Sequence, residues 1–208
     1  MTPAEQLRGG IAALGLGLPD AAEARLLGFL DLLLKWNRTF NLTAIRQPAE
    51  MVTHHLLDSL ALLPLLEEKS VLAGRRLVDV GSGAGVPGLV LAIARPDLDL
   101  ASIESSQKKA AFQQQAKIEL GLVNVSIHCA RAEAVTDTFD AALSRAFASL
   151  AGFVGYAGHL SSRLLAMKGV YPADEVAALP AGWRQAQNHM VTVPGLDAQR
   201  HLLVLEKI

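Results

Sequence analysis

The densest chemistry in the sequence lies at Val78-Asp79-Val80-Gly81-Ser82-Gly83-Ala84-Gly85-Val86-Pro87-Gly88. An apolar strand stops at a glycine cluster, and the cluster opens a helix. Glycines let the backbone turn sharply and let a ligand approach the main chain. The free N–H groups of the helix N-terminus suit a negative or polar group. The next strand ends in Glu104. A carboxylate at that sheet position can accept both hydroxyls of a ribose. Together these residues point to a ligand that contains a nucleoside. Several readings stay open at this point. Gly83 to Gly88 fits the dinucleotide pattern G-x-G-x-x-G literally. In that motif, however, the first glycine follows the strand directly; here Gly81 does so, and counting from it puts Val86 at the last position. The turn is better written G-x-G-x-G after the acid Asp79. Glycines serving only a tight strand-to-helix reversal are the plain structural reading.

Other chemistry-bearing residues are more ambiguous. His54 and His55 are adjacent, and neighbours in sequence do not face each other on a helix, so a shared metal is not expected. They read as a helix edge packed against the domain that carries the glycine turn, or as a contact with a substrate. Lys108-Lys109 reads as a phosphate contact at the rim of the site or as a solvated helix face. Arg145 ends a strand at the carboxyl edge of the sheet, where ligands sit in open α/β folds; a plain salt-bridge partner is the other reading. Cys129 reads as inert core, Trp36 and Trp183 as packing residues. One cysteine excludes an intrachain disulfide and a Cys-rich zinc site, and suggests a reducing compartment, the cytoplasm.

These residues need elements to hold them. The first seventy residues show helical periodicity. Thr2-Pro3-Ala4-Glu5 predicts a capping box with proline in the first turn, and Asp20 with Glu23 repeats that pattern. Leu26, Leu27, Leu30, Leu33 and Leu34 make one apolar helix face. Asn41-Leu42-Thr43 breaks the periodicity. A third helical stretch starts near Pro48, Asp58 or Ser59 caps another short helix, and Pro64 ends or bends that piece. From Arg75 strands alternate with helices, which predicts a doubly wound sheet. Strands are expected at Arg76–Val80, Asp99–Glu104, Val125–Cys129, Phe139–Arg145 and Arg163–Met167. Trp183–Val193 and His201–Glu206 have no helix between them and predict a terminal antiparallel pair. The division expected is residues 1–70 as a packed helical extension and 71–208 as the α/β domain.

Composition narrows the class. Of 208 residues, 51% are hydrophobic and 19% charged, which fits a globular chain and not a disordered one. A net charge of −1 excludes a polybasic coat for nucleic acid but leaves room for a local basic patch. Arg8 before the apolar Ile11–Leu18 mimics a signal peptide, but Glu5 and Pro19-Asp20 argue against one. No stretch reads as a membrane span.

The G-x-G-x-G turn after Asp79 resembles motif I of class I S-adenosylmethionine-dependent methyltransferases. Six segments in order resemble one family, the ribosomal RNA small-subunit methyltransferase G family, also called glucose-inhibited division protein B. They are Asn41-Leu42-Thr43-Ala44; His55-Leu56-Leu57-Asp58-Ser59; Asp79 to Gly88; Glu104-Ser105 with Lys108-Lys109; Ser144-Arg145-Ala146-Phe147-Ala148; and Met167-Lys168-Gly169 with Arg200-His201-Leu202. The resemblance implies a class I α/β fold with a terminal antiparallel strand. It implies S-adenosylmethionine as cofactor and methylation of guanine N7 in the decoding region of 16S rRNA, as free RNA or assembling small subunit, by a monomer without a metal. It assigns the cofactor to Asp79, Gly81, Ser82, Gly83, Gly85, Val86, Glu104, Ser105 and Arg145, with Ala132 and Glu133 beside the adenine. The RNA is assigned to Asn41, His55, Lys108 and Lys168, and a catalytic function to Arg145. Ala84 and Val86 stand where many members have Pro and Leu, and Phe112-Gln113-Gln114-Gln115 is more polar than usual, which leaves fine contacts open. A methyltransferase acting on a protein or small molecule, and a non-catalytic nucleoside- or NAD-binding protein, are the alternatives.

Overall fold

The computed structural model describes residues 1–145 and 147–208; Ala146, part of one segment above, lies outside them. Helix α1 (Pro3–Ala13) starts on the expected capping box: Thr2 Oγ1 accepts from the Glu5 N–H at 3.2 Å, and the Thr2 N–H donates to Glu5 at 2.7 Å. Helix α2 (Ala22–Phe40) does not repeat it. Its first turn follows Ala21 in a left-handed conformation, Asp20 makes no cap, and Glu23 instead pairs with Arg8 at 2.7 Å. A long-range partner outcompeted the local one.

The third stretch also departs from expectation. Helix α3 (Pro48–Met51) runs through a π-helical segment (Val52–Leu57) into α4 (Asp58–Leu60) with no cap between. Asp58 is buried, and the Ser59 hydroxyl donates to the His55 carbonyl at 2.6 Å instead of capping. Pro64 sits in the first turn of α5 (Leu63–Leu66), where its missing N–H costs nothing.

Strand β1 (Arg76–Val80) is followed by α6 (Gly88–Ala94), β2 (Asp99–Ile103), α7 (Gln107–Glu119), β3 (Val125–His128), a 3₁₀ turn (Ala132–Ala134), β4 (Ala141–Arg145), α8 (Leu150–Ala157), β5 (Arg163–Lys168), α9 (Ala173–Ala177), β6 (Trp183–Met190) and β7 (His201–Lys207). The sheet order is β3-β2-β1-β4-β5-β7-β6. The first five pair in parallel, and β7 inserts antiparallel between β5 and β6. Connections from β1 run one way to β2 and β3, and the other side of β1 is taken by β4. The switch point is therefore between β1 and β4, and ligands of such sheets bind at the carboxyl ends there.

Alternation along the strands sorts side chains onto two faces. Leu77, Leu100 and Leu143 pack on one face under α1, α2, the α3–α4 run, α6 and α7; Val78, Ala101 and Ala142 pack on the other under α8. The N-terminal helices thus share one core with the sheet. Cys129, read as core, is exposed just past the end of β3. The strand ends before it, so alternation no longer hides it. Trp36 packs on Phe112, as its reading as a packing residue requires.

Candidate active site

By alternation, Asp79 and Ser102 fall on the face covered by α6 and α7, where an apolar residue is the rule. Both are fully buried. Asp79 Oδ2 accepts from the Gly88 N–H at 2.8 Å, while Oδ1 has no hydrogen-bond partner among the described residues. A Cβ at Gly88 would stand 2.8 Å from Asp79 Oδ2, so glycine is what lets α6 start this close to the acid. Burial pushes the Asp79 carboxyl up to about 7, the Gly88 N–H and Arg145 opposing the shift and Glu104 adding to it. Asp79 lies under the turn and touches no solvent.

The turn itself uses left-handed backbone at Gly81, Gly83 and Gly85 (φ 67°, 59° and 76°). Gly83 is held from β2: its N–H donates to Glu104 Oε2 at 2.8 Å, and Glu104 Oε1 accepts from the Ser106 N–H at 2.7 Å. Three cavities run along this sheet edge. One, of about 200 Å³, is bounded by Gly81, Ser105, Ala132, Glu133, Phe147 and Tyr156. Its 3₁₀ turn is tied by His159 Nε2, which lies 3.2 and 3.1 Å from the carbonyls of Ala132 and Val135. A second, of about 170 Å³, lies over Gly81, Ser82, Gly83 and Val86 and reaches Thr43, His55 and Arg145. The third, of about 450 Å³, is lined by those same three residues together with Asp58, Lys168 and Arg200. Gly81 is common to the first two cavities, and Thr43, His55 and Arg145 to the last two.

The π-helical segment sets this junction. In an α-helix the Asp58 N–H would reach the His54 carbonyl; here it bonds Thr53, and the His54 carbonyl accepts from Arg145 at 2.7 Å. Asp58 stands between two arginines, Arg145 at 3.3 Å and Arg200 at 2.9 Å. The buried His55 has its Nε2 3.0 Å from Thr43 Oγ1 and its Nδ1 3.5 Å from Arg145. Burial, then the Arg145 charge, lowers its pKa to about 4. With Arg145 donating to Nδ1, the neutral ring carries its proton on Nε2 and donates to Thr43.

The structure therefore brings together Gly81, Ser82, Gly83, Val86, Glu104, Ser105, Ala132, Glu133, His55, Arg145 and Lys168, with Asp79 and Gly85 beneath or behind the turn. It does not bring in Asn41, whose Oδ1 accepts from Arg46 at 2.8 Å on the exposed surface, or Lys108, exposed on α7. Lys168 lines the largest cavity, but its ammonium donates to Glu175 at 2.8 Å and to the Phe147 carbonyl at 3.1 Å. Both readings of Arg145 meet in one residue, since it forms a salt bridge and faces two cavities. Sequence reasoning missed Thr43, Asp58, Gln113 and His159 as parts of the site. For Asp58 a signal existed: an acid flanked by Leu56, Leu57 and Leu60 on a helix without a breaker must be buried and therefore paired.

The strand order, the glycine turn at the switch point and the acid on the neighbouring strand define a class I methyltransferase. The solved structures agree on the fold: magnesium protoporphyrin IX methyltransferase from Synechocystis PCC 6803 with bound SAM aligns at TM-score 0.60 over 86% of this chain and 97% of its own, with 13% identity. TrmN from Thermus thermophilus aligns at 0.53 over 83% and 53%, with 20% identity.

The family model for rRNA small subunit methyltransferase G matches residues 22–203. Proteins carrying that name are 56% identical in Azoarcus sp. (strain BH72), over 100% of this chain and 98% of theirs, and 49% identical in Neisseria meningitidis serogroup C, over 98% of each. The chain belongs to the rRNA small subunit methyltransferase G family. It is a methyltransferase that uses S-adenosylmethionine, and guanine N7 in 16S rRNA is the target the family implies.

Proposed function

We propose that the three adjoining cavities are one reaction crevice in which the chain methylates N7 of a 16S rRNA guanosine. The adenosine part of S-adenosylmethionine is assigned to the cavity at Ala132 and Glu133 with Glu104 at its ribose, and the methionine part to the glycine turn. The target base is assigned to the 450 Å³ cavity. The observation that carries this reading is that Thr43, His55 and Arg145 line both the turn's cavity and the large one. The residues fit the cofactor: the turn is built of left-handed backbone, Asp79 Oδ1 is an unpaired buried acceptor, and Glu104 sits at the ribose position of such sheets.

When bound, S-adenosylmethionine supplies an electrophilic sulfonium methyl group. Guanine N7 carries a lone pair in the ring plane and no proton, so no general base is required. His55 is consistent with this: it is held neutral, with both ring nitrogens committed to protein partners. What the chain supplies is alignment, which can contribute about 7–11 kcal/mol. Arg145 and Arg200, oriented by Asp58, favour the phosphates of an extruded nucleotide. Transfer leaves the purine positively charged, so these guanidiniums serve phosphate and not the alkylated ring. Net charge near zero leaves RNA recognition to this local patch and to RNA shape. A monomer acting in the cytoplasm on rRNA or the assembling small subunit completes the reading. Among the described residues no helix is long and apolar enough to cross a membrane, and no cluster of three metal ligands occurs.

The test is incubation with tritiated S-adenosylmethionine and 16S rRNA or small subunits from cells lacking the activity. Label in a purine, with strand cleavage by borohydride and aniline at one guanosine, is expected. Label confined to protein or metabolites would overturn the assignment.

A further inference from the structure

Beneath the glycine turn lies a ring of polar side chains of which only Ser82 is among the cofactor residues above. Gln113 on α7, Ser102 on β2 and Ser82 in the turn are all buried. Gln113 Nε2 donates to Ser82 Oγ at 2.8 Å and to the Gly83 carbonyl at 2.7 Å. The Ser102 hydroxyl donates to Gln113 Oε1, and Ser82 Oγ lies within hydrogen-bonding distance of Ser102 Oγ. Because the Gly83 carbonyl can only accept, the amide orientation is fixed, and the protons then run one way: Gln113 to Ser82, Ser82 to Ser102, Ser102 to Gln113. Both amide protons and both hydroxyl protons are used. Each of these three buried polar groups is thereby satisfied, as burial beside apolar side chains requires.

The ring has one outlet, the Gly83 carbonyl. Glu104 holds the N–H of the same residue at 2.8 Å. Gly83 is thus gripped from both sides at a left-handed backbone conformation (φ 59°), inside a turn closed by the Gly85 and Val86 N–H groups on the Ser82 carbonyl at 2.9 and 3.1 Å. We propose that Gln113 is a positioning residue for the cofactor: it presets the Gly81–Gly85 turn through the Gly83 carbonyl, so that binding does not have to order the loop. The polar run Gln113-Gln114-Gln115 contributes to the site through its first member, whereas Gln115 bonds Glu119 on the exposed face.

The inference rests on the cofactor reading of the turn, and the experiment separates the two. Binding of S-adenosylhomocysteine is measured by calorimetry, and melting temperature without ligand, for the wild type, Gln113→Leu, Gln113→Glu and Ser102→Ala. Gln113→Leu fills similar space without donors. Gln113→Glu keeps the shape but carries at most one proton where the amide has two, so the Gly83 carbonyl and Ser82 can no longer both be served. Both are expected to weaken binding about tenfold, which is about 1.4 kcal/mol, while KM for the ribosomal substrate stays within twofold. Ser102→Ala leaves the Gly83 contact intact and is expected to lower the melting temperature while weakening binding less than threefold. A merely structural ring would lower melting temperatures and leave affinity for S-adenosylhomocysteine within twofold in all three, which would overturn the proposal. If Gln113→Leu does not fold, Gln113→Glu decides by the same criterion. Failure of the wild type itself to bind S-adenosylhomocysteine would instead sink the cofactor reading.

Discussion

Replacing Asp79 by Asn tests whether a charge is buried beneath the turn at a cost to the fold. The free carboxylate titrates near 3.8 and the folded one near 7. A folded pKa above the unfolded one means that the acid's contribution is fully present below 3.8 and is lost as pH rises through 7. The cost relative to the unfolded chain is about 4 kcal/mol at pH 8 but only about 2 kcal/mol at pH 5, at 1.36 kcal/mol per pH unit. Asn keeps the acceptor for Gly88 and places an amide where Oδ1 has no partner. That orphan costs about 1–3 kcal/mol at every pH. The ligand-free variant should therefore be more stable than wild type at pH 8 and equal to it or weaker at pH 5. The difference between the two proteins should change by about 2–3 kcal/mol over that range. Urea unfolding of both at each pH measures it. His55 titrates in both proteins and cancels in the comparison. A difference constant from pH 5 to 8 would refute the claim that Asp79 is strained by burial. Affinity for S-adenosylhomocysteine should fall in the same variant, because a charge this costly is retained for a ligand and not for folding.

Three further outcomes are expected. His55→Gln should remove an acid-side loss of stability: the folded pKa near 4 lies below the unfolded 6.5, so the wild type loses about 3 kcal/mol as pH falls across that interval, and unfolding curves at pH 6.5 and 4.5 should show a shallower slope in the variant. Gly83→Val should cost about 1–2 kcal/mol of backbone strain, its Cβ alone having room, and abolish cofactor binding while α1 and α2 stay folded; unchanged affinity by calorimetry would count against the turn as the site. Arg145→Ala should lower methylation about 100-fold through misplacement at the junction of two cavities, with a smaller effect on the melting temperature because Asp58 keeps Arg200; activity at the wild-type level would leave Arg145 purely structural.

The fold and the glycine turn were legible in the sequence for the same reason. Strand–turn–helix units are local, and Asp79 to Gly88 and Glu104 carry their geometry in residue type and short spacing. The terminal pair was legible because Pro194 to Asp197 leaves no room for a crossover helix, although its insertion order, with β7 inside β6, was not. What failed was capping by Asp20 and by Asp58 or Ser59. A carboxylate near a helix start satisfies a local rule, and nothing local reveals that Arg145 or Arg200, far along the chain, will compete for it.

The same logic explains why residue spacing could not assemble the largest cavity, of which only His55, Arg145 and Lys168 were named, and those from the resemblance. Its residues come from the Asn41–Ile45 loop, the π-helical segment, β4, β5 and the approach to β7, so no spacing within the sequence encodes it. The π register in particular has no marker such as proline or a glycine pair. It follows from tertiary demand: the segment must offer the His54 carbonyl to Arg145 and still bury Leu56, Leu57 and Leu60 against the sheet. A regular α-helix there would return the Asp58 N–H to the His54 carbonyl, which would then have to serve two donors. The junction between the glycine-turn cavity and the largest one therefore depends on one irregular turn, and residues with no chemistry of their own decide where Arg145 points.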